Sequence, residues 1–503
     1  MADTKTIVKN TGFLYVRMAI TMLIGLFSVR IILKALGEVD YGVYNVVSGI
    51  ITMLAFLNNA LSSTTQRFLS YELPSNDTER LKRVFSTSII IYLYLCLAIV
   101  FIGETIGLWF VNSKLNIPSD RMYAANWIYQ FSIITFCFSV MSAPYNAAII
   151  AHEKMGIYAY VSIAEAILKL ALIVILLYAP GDKLIVYGIM LCMISIIVFF
   201  FYFFYCRHQF RECHFVKERD KEMMASLGSF AKWNVFGTFS NIFSGQGINI
   251  LLNIFFGVIV NTARGIAYQI DNAINTLVQN FYLAVKPQIV KQIAEKNVQE
   301  TNYLLLVATK VGYLLFSSIA IVVVLEMRTI LNVWLGYYSG LMVTFSRIVL
   351  LGYLFEVLLN PLNTVISGTG RIKPLMLSNG VLTIMILPIS YFMLKAYTIE
   401  VVPFVVILLT SIVRWINGIF QTKRVFNLNT KAYLNLVAIL FLTTSLTFGV
   451  AYLLHSILLN RWVRMFCVLF VVVSLYGVLS WFCILSKKEK NACRNYLIRL
   501  FRI

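Results

Sequence analysis

Charge is scarce in this chain. Of 503 residues only 13% are Asp, Glu, Lys or Arg, while 60% are hydrophobic. A water-soluble protein of that length could not bury so much apolar surface, so lipid must solvate the excess and the chain reads as a membrane protein. Acid is the scarcer sign: 22 Asp and Glu stand against 42 Lys and Arg, a net charge of +20. In a soluble protein that surplus would point to nucleic acid. In a membrane protein it is the ordinary signature of cytoplasmic loops, and no nucleic-acid partner is expected.

Catalytic and energy-coupling signatures are missing as well. There is no GxxxxGK[ST] loop to cradle a nucleotide phosphate, and neither HExxH nor GxSxG occurs. No loop exceeds about two dozen residues, which leaves no room for a soluble domain. The expectation is a non-enzyme without cofactor, driven by an ion gradient or by the gradient of its own substrate. Cys96, Cys137, Cys192, Cys467 and Cys483 lie inside apolar runs and read as small core residues. The cluster "CRHQFRECH" (Cys206, His208, Cys213, His214) has none of the usual zinc spacings and reads as a basic loop, so no metal is expected. The polar start "MADTKTIVKN" and the long apolar run after it do not resemble a cleavable signal, so the first span is expected to stay.

Long apolar segments are what the chain does have. About fourteen are long enough to cross a bilayer: 12–36, 41–70, 85–111, 121–150, 157–179, 184–206, 227–256, 261–290, 302–325, 341–366, 374–396, 399–422, 432–455 and 463–485. The basic loops "ERLKR", "RHQFRECHFVKERDKE", "KPQIVKQIAEK", "KR" and "KKEKNACRNYLIRLFR" all fall on the side of the termini. That side collects about 25 basic residues against about 9 opposite, which places both termini in the cytoplasm.

Two matches suggest an internal duplication. "SAPYNAAIIAHEKM" (142–155) and "LNPLNTVISGTGRI" (359–372) share Pro-x-Asn, at Pro144 and Asn146 and at Pro361 and Asn363, an offset of 217. "GVYNVVSGIITMLAFLNN" (42–59) aligns with "GIAYQIDNAINTLVQNFY" (265–282) at an offset of 223. The expected fold is all-α, with two parallel six-helix lobes related by a pseudo-two-fold along the membrane normal and two extra C-terminal helices. In residues this is an N-lobe over 1–206, a cytoplasmic loop over 207–226, a C-lobe over 227–424, and the last pair with a basic tail over 425–503.

Polar stripes interrupt the apolar spans. Span 8 carries Arg264, Tyr268, Asp271, Asn275, Gln279, Tyr282 and Lys286 at steps of three and four, one helical face. Span 2 repeats the pattern with Tyr41, Asn45, Ser48, Thr52, Asn59, Ser62 and Gln66. Span 7 offers Asn234, Thr238, Asn241, Gly245 and Asn249, and span 1 offers Arg17, Thr21, Gly25 and Ser28, with Arg30 and Lys34 further out. Such faces are costly in lipid, so they are expected to line a water-filled cleft or to bond to one another. Arg17, Lys34, Arg67 and Lys286 are close enough to span ends to snorkel, and Glu165 and Lys169, four apart, can neutralise each other. Asp271, Glu356, Lys310 and Arg414 fall nearer mid-depth, with Arg30 and Arg347 in the outer thirds. Unpaired charge there is a functional candidate by default. Bases outnumber acids in this set, which favours an anionic cargo. Arginine suits phosphate, and Asn, Gln and Tyr suit sugar hydroxyls.

The helix layout, the "ALGEVDYGVYN" stretch (35–45) and the paired Pro-x-Asn motifs together resemble the polysaccharide-transporter branch of the multidrug/oligosaccharidyl-lipid/polysaccharide exporter superfamily. The resemblance covers essentially the whole chain. It implies two lobes working by alternating access around a cationic cavity in the bacterial cytoplasmic membrane, among membrane lipids and other polysaccharide-assembly proteins. It also implies an undecaprenyl-pyrophosphate-linked oligosaccharide as cargo, as for the O-antigen and capsule flippases. The peptidoglycan-lipid flippases carry an Arg-Asp pair midway along span 1. Here the matching stretch is "GLFSVR", with Ser28 and no acid, which counts against a peptidoglycan role.

On this reading the cavity candidates are Arg30, Arg264, Tyr268, Asn275, Gln279, Asn45, Asn59, Asn241, Arg347 and Arg414, with Asp271 and Glu356 as candidates for ion coupling. Arg264 and Asp271 share a face but stand about 10 Å apart along the helix, too far to pair directly. A cationic-drug exporter is the rival transporter, and would need an acidic, aromatic lining. A polysaccharide polymerase is the rival enzyme, and would need a larger outer loop.

Overall fold

The computed structural model describes residues 4–73, 77–152, 154–214, 221–369, 371, 373–485 and 490. Among them every regular element is helical: α1 (Thr4–Thr52), α2 (Ala55–Glu72), α3 (Thr78–Ile102), α4 (Leu108–Ser113), α5 (Met122–Ala151), α6 (Met155–Leu176), α7 (Lys183–Gln209), α8 (Lys221–Phe256), α9 (Val258–Ala294), α10 (Val298–Leu325), α11 (Met327–Leu335), α12 (Gly340–Gly368), α13 (Lys373–Tyr397), α14 (Val402–Phe426), α15 (Thr430–Ile457) and α16 (Arg461–Leu479). Eleven helical stretches among the described residues are long and apolar enough to cross a membrane. The protein is a multi-pass membrane protein. The expected spans at 227–256 and 261–290 are helical but outside those eleven, and the expected span at 41–70 is split between the end of the stretch Arg17–Thr52 and α2. These three carry the longest polar stripes.

As a straight rod α1 would measure about 73 Å, more than twice a hydrocarbon core. It is broken at Gly37, whose φ of 77° lies in the left-handed region that other residues enter at a cost. Five residues on, Gly42 faces the Val258 carbonyl at the start of α9 so closely that a Cβ would overlap it. Both glycines of "ALGEVDYGVYN" therefore have structural work. The first bends the chain and the second lets a neighbouring backbone approach.

The chain divides into two compact units, residues 1–265 with 383–400, and 266–382 with 401–503. In the first unit Arg121 forks onto Asp40 at 2.6 Å through both Nε and NH2, and onto Asp182 at 2.8 and 3.1 Å. One guanidinium thus fastens the bent part of α1 to the turn before α5 and the start of α7. Asp182 also caps α7, accepting from the amides of Leu184 and Ile185. Burial pushes its carboxyl up, but the bonds from Arg121 and these amides outweigh that and hold it below the usual carboxylate range. A depressed carboxyl stabilises the fold above its unfolded value and loses that contribution as pH falls through its folded value. Asp182→Asn keeps the cap and removes the charge. Its melting deficit against wild type should stay constant from pH 8 to about 5 and shrink below about 4. A deficit that grows in acid would contradict this assignment.

A π-turn over Gly103–Gly107 joins α3 to α4. It takes in the hydroxyl of Tyr129 on α5, which donates to the Gly103 carbonyl at 2.8 Å. A methyl at Gly107 would overlap that hydroxyl. Gly107→Ala should cost about 1–3 kcal/mol, and Tyr129→Phe in the same chain should return most of it in a thermal-melt comparison. A Gly107→Ala protein melting with wild type would refute the overlap.

In the second unit Pro361 interrupts α12 and strips the Val357 carbonyl of its helical donor. The Tyr282 hydroxyl on α9 replaces it at 2.8 Å. Gly312 on α10 leaves the space in which the Tyr282 ring sits.

Candidate functional site

In the first unit the outer parts of the polar stripes are spent on helix packing. Asn249 donates to the Asn45 carbonyl at 3.0 Å, and Asn261 donates to the Asn249 carbonyl and side chain at 2.6 and 2.8 Å. Thr262 reaches the Glu38 carbonyl at 2.6 Å, and the Asn45 side chain turns back to the Tyr41 carbonyl at 2.8 Å. Arg264, 8% exposed, donates to the Gly245 carbonyl at 2.6 Å. Its guanidinium is thus folded into the packing instead of reaching outward. Arg30 on α1 and Asn241 on α8 are exposed. The side chain of Asn59 lies outside the described residues.

Three cavities are formed among the described residues of this unit. One of about 330 Å³ is lined by Thr21, Ser28, Ser162 and Tyr187 with the Glu165–Lys169 pair, whose charges meet at 2.6 Å. Another of about 200 Å³ is lined by Tyr44, Ser48, Thr52, Ser132, Thr135 and Ser139. The third, of about 930 Å³, is apolar and surrounds the π-turn, between Ile50–Leu54, Ile102–Phe110, Phe239–Ile254 and Leu387–Phe392.

The second unit gathers the mid-depth candidates. α9 supplies Asp271, Asn275 and Gln279, α12 supplies Tyr353 and Glu356, and α14 supplies Arg414. The Tyr353 hydroxyl donates to the Asn275 side-chain oxygen and accepts from Gln279 at 3.1 Å. Arg414 and Glu356 meet at 3.0 Å. Glu356 Oε1 receives no well-aligned hydrogen bond there, so the contact is Coulombic rather than a bidentate fork. Asp271 is 8% exposed, and its buried Oδ1 has no hydrogen-bond partner among the described residues. Asp271 and Glu356 lie within electrostatic reach of each other. Arg414 pairs with Glu356, and among the described residues no ion pair reaches Asp271. Such a buried, partly satisfied carboxylate suits a small cation or a proton.

Tyr268 is half-buried on α9, a turn before Asp271. Arg347 stands apart from this cluster, with its Nε on the Val324 carbonyl at 3.0 Å. The sequence reading passed over Tyr353. Its place one turn before Glu356 was a usable signal, because i and i+3 share a face. It also passed over the Arg121 clamp, whose three members are 81 and 61 residues apart and show no pattern along the chain.

The sequence profile of the family described as polysaccharide biosynthesis protein matches residues 7–292. Curated proteins give no match. Among solved structures, a lipid II flippase MurJ in an inward closed conformation superposes with a TM-score of 0.72 at 13% identity, over 93% of this chain and 97% of that one. A multidrug resistance MATE family transporter of the MOP superfamily, inward-facing, gives 0.64 at 15% over 84% and 99%. A MOP superfamily transporter from Pyrococcus furiosus, described as having a binding pocket of reverse polarity, gives 0.59 at 16% over 85% and 96%. The fold is that of these proteins, and they are transporters or flippases.

Proposed function

The chain belongs to the polysaccharide biosynthesis protein family, and from that membership we propose that it is a flippase for a lipid-linked oligosaccharide. The cargo would be an anionic prenyl-pyrophosphate carrier bearing a surface-polysaccharide repeat unit. It would move from the cytoplasmic to the outer leaflet of the bacterial inner membrane, with both termini cytoplasmic. The observation that carries the reading is the match of the family profile over residues 7–292, and the likeness to the lipid II flippase over 93% of this chain supports the fold it needs.

Relatives of this fold are described in inward-facing and in outward-facing conformations, which supports alternating access here. Arg30 and its neighbouring cations would meet the pyrophosphate. Tyr268, Asn275, Gln279 and Asn241 would meet sugar hydroxyls, and the Asp271–Glu356 cluster would couple movement to a cation.

Reconstituted vesicles loaded with a polyprenyl-pyrophosphate oligosaccharide provide the test, read by lectin access to the sugar. Wild type should expose the sugar in a protein-dependent way. Arg30→Ala should slow exposure roughly tenfold, the worth of one charge-assisted phosphate contact. Export of a cationic dye without any movement of the oligosaccharide would favour the drug-exporter reading instead.

A further inference from the structure

A surplus of positive charge lies in the second unit, away from the Asp271 cluster. Glu326, 1% exposed, separates α10 from α11. Its carboxylate takes Arg464 from the start of α16 at 2.7 and 3.0 Å, and Thr329 at 2.7 Å. His455 near the end of α15 stands 3.7 Å away. Arg464 and His455 thus share the one carboxylate, which Arg464 already occupies, while Arg328 and Arg347 lie within electrostatic reach of His455, and Arg328 of Arg347. Among the described residues Arg347 spends only its Nε, on the Val324 carbonyl. Arg328, exposed on α11, makes no hydrogen bond or ion pair among the described residues. Like charges gathered this way are costly unless an anion joins them.

The depth of the cluster points to the kind of anion. Nine residues cannot cross a bilayer, so α11, which joins the spanning helices α10 and α12, lies at a membrane surface. Met327, Leu331 and Leu335 form a buried stripe, and Arg328, at its edge, is exposed. Trp334, Tyr337 and Tyr338 follow, with Trp462 on α16 under the Arg461 guanidinium at 5.6 Å. Trp and Tyr collect at the level of lipid headgroups. Guanidinium groups in fork geometry match phosphate oxygens there.

We propose that Arg328 and Arg347, backed by Arg464 and His455, form an interfacial site for the phosphate of a lipid headgroup. Under the basic-loop orientation this is the outer face. The phosphate could come from a resident phospholipid or from the prenyl-pyrophosphate carrier after it has crossed. Only that second source rests on the flippase reading.

Native mass spectrometry of the full-length protein tests this without measuring transport, so its failure is distinguishable from failure of the proposed function. The probes are dioleoylphosphatidylglycerol, dioleoylglycerol, polyprenyl pyrophosphate and inorganic pyrophosphate. Phosphatidylglycerol should be retained roughly tenfold better than dioleoylglycerol, and Arg328→Gln with Arg347→Gln should abolish the preference. Arg328→Gln alone, which breaks no bond, should already weaken it severalfold, and the double lysine variant should recover part. Displacement of phosphatidylglycerol by polyprenyl pyrophosphate would identify the carrier as occupant. No displacement would identify the phospholipid, and displacement by inorganic pyrophosphate a free anion. Equal retention of dioleoylglycerol, or an unchanged preference in the Gln variants, would overturn the site.

Discussion

Glu326→Ala should be among the most damaging single changes in the protein. The side chain is inaccessible, and it holds an arginine through two bonds and a threonine through a third. Removing the acid leaves the Arg464 guanidinium in a site built for a pair. A buried pair broken from one side costs about 3–5 kcal/mol. In detergent this should appear as a melting temperature lower by many degrees, or as loss of the monodisperse peak in size-exclusion chromatography. The charge rather than the volume should carry the effect. Glu326→Gln should therefore be nearly as harmful, and Glu326→Leu with Arg464→Leu should recover much of the loss, because well-packed apolar residues often replace a buried pair without penalty. A Glu326→Ala protein that melts with wild type would remove the carboxylate from its assigned place as anchor of α10, α11 and α16.

The second large effect is on transport. Asp271→Asn together with Glu356→Gln should slow cation-driven oligosaccharide movement roughly tenfold or more and abolish its dependence on the driving ion, as expected of a coupling of 1–3 kcal/mol. The reason is the uneven neutralisation of the two acids. Glu356 has Arg414 at 3.0 Å, whereas among the described residues Asp271 has no ion-pair partner and a buried oxygen without a donor. Asp271→Asn alone should therefore produce most of the loss, and Glu356→Gln alone less. A purely structural pair would instead reduce protein abundance in the membrane while leaving the ion dependence of the remaining flux intact. Unchanged flux and unchanged ion dependence in the double variant would rule out coupling at this cluster.

Much of the architecture was legible because lipid imposes a simple rule on sequence. Every spanning segment must be helical and mostly apolar, so the expected segments fall on helical chain, although the expected break between the first two spans lies inside α1 and the second is divided between α1 and α2. Individual side chains were less legible. The spacing of Arg264, Asp271, Asn275 and Gln279 showed that they share a helical face, but not what that face meets. Arg264 turns to the Gly245 carbonyl, and seven residues further along the same stripe the environment becomes a carboxylate cluster. The "ALGEVDYGVYN" stretch suggested a family and hid its reason. Gly37 bends the chain, Asp40 accepts Arg121, and Gly42 seats the Val258 carbonyl. A linear pattern can record such a joint, but its partners lie 81 and 216 residues away.

The phenol that closes the gap left by Pro361 has a mechanical side. A proline bend with an open carbonyl is a swivel. With Tyr282 bound there, α9 and α12 share an axial register, and a slide of one residue, about 1.5 Å, would pull the hydroxyl out of reach. Asp271 rides on the first helix, about three turns from that bond, and Glu356 sits beside it on the second. The spacing of the two carboxylates is thereby indexed by a hydroxyl that belongs to neither.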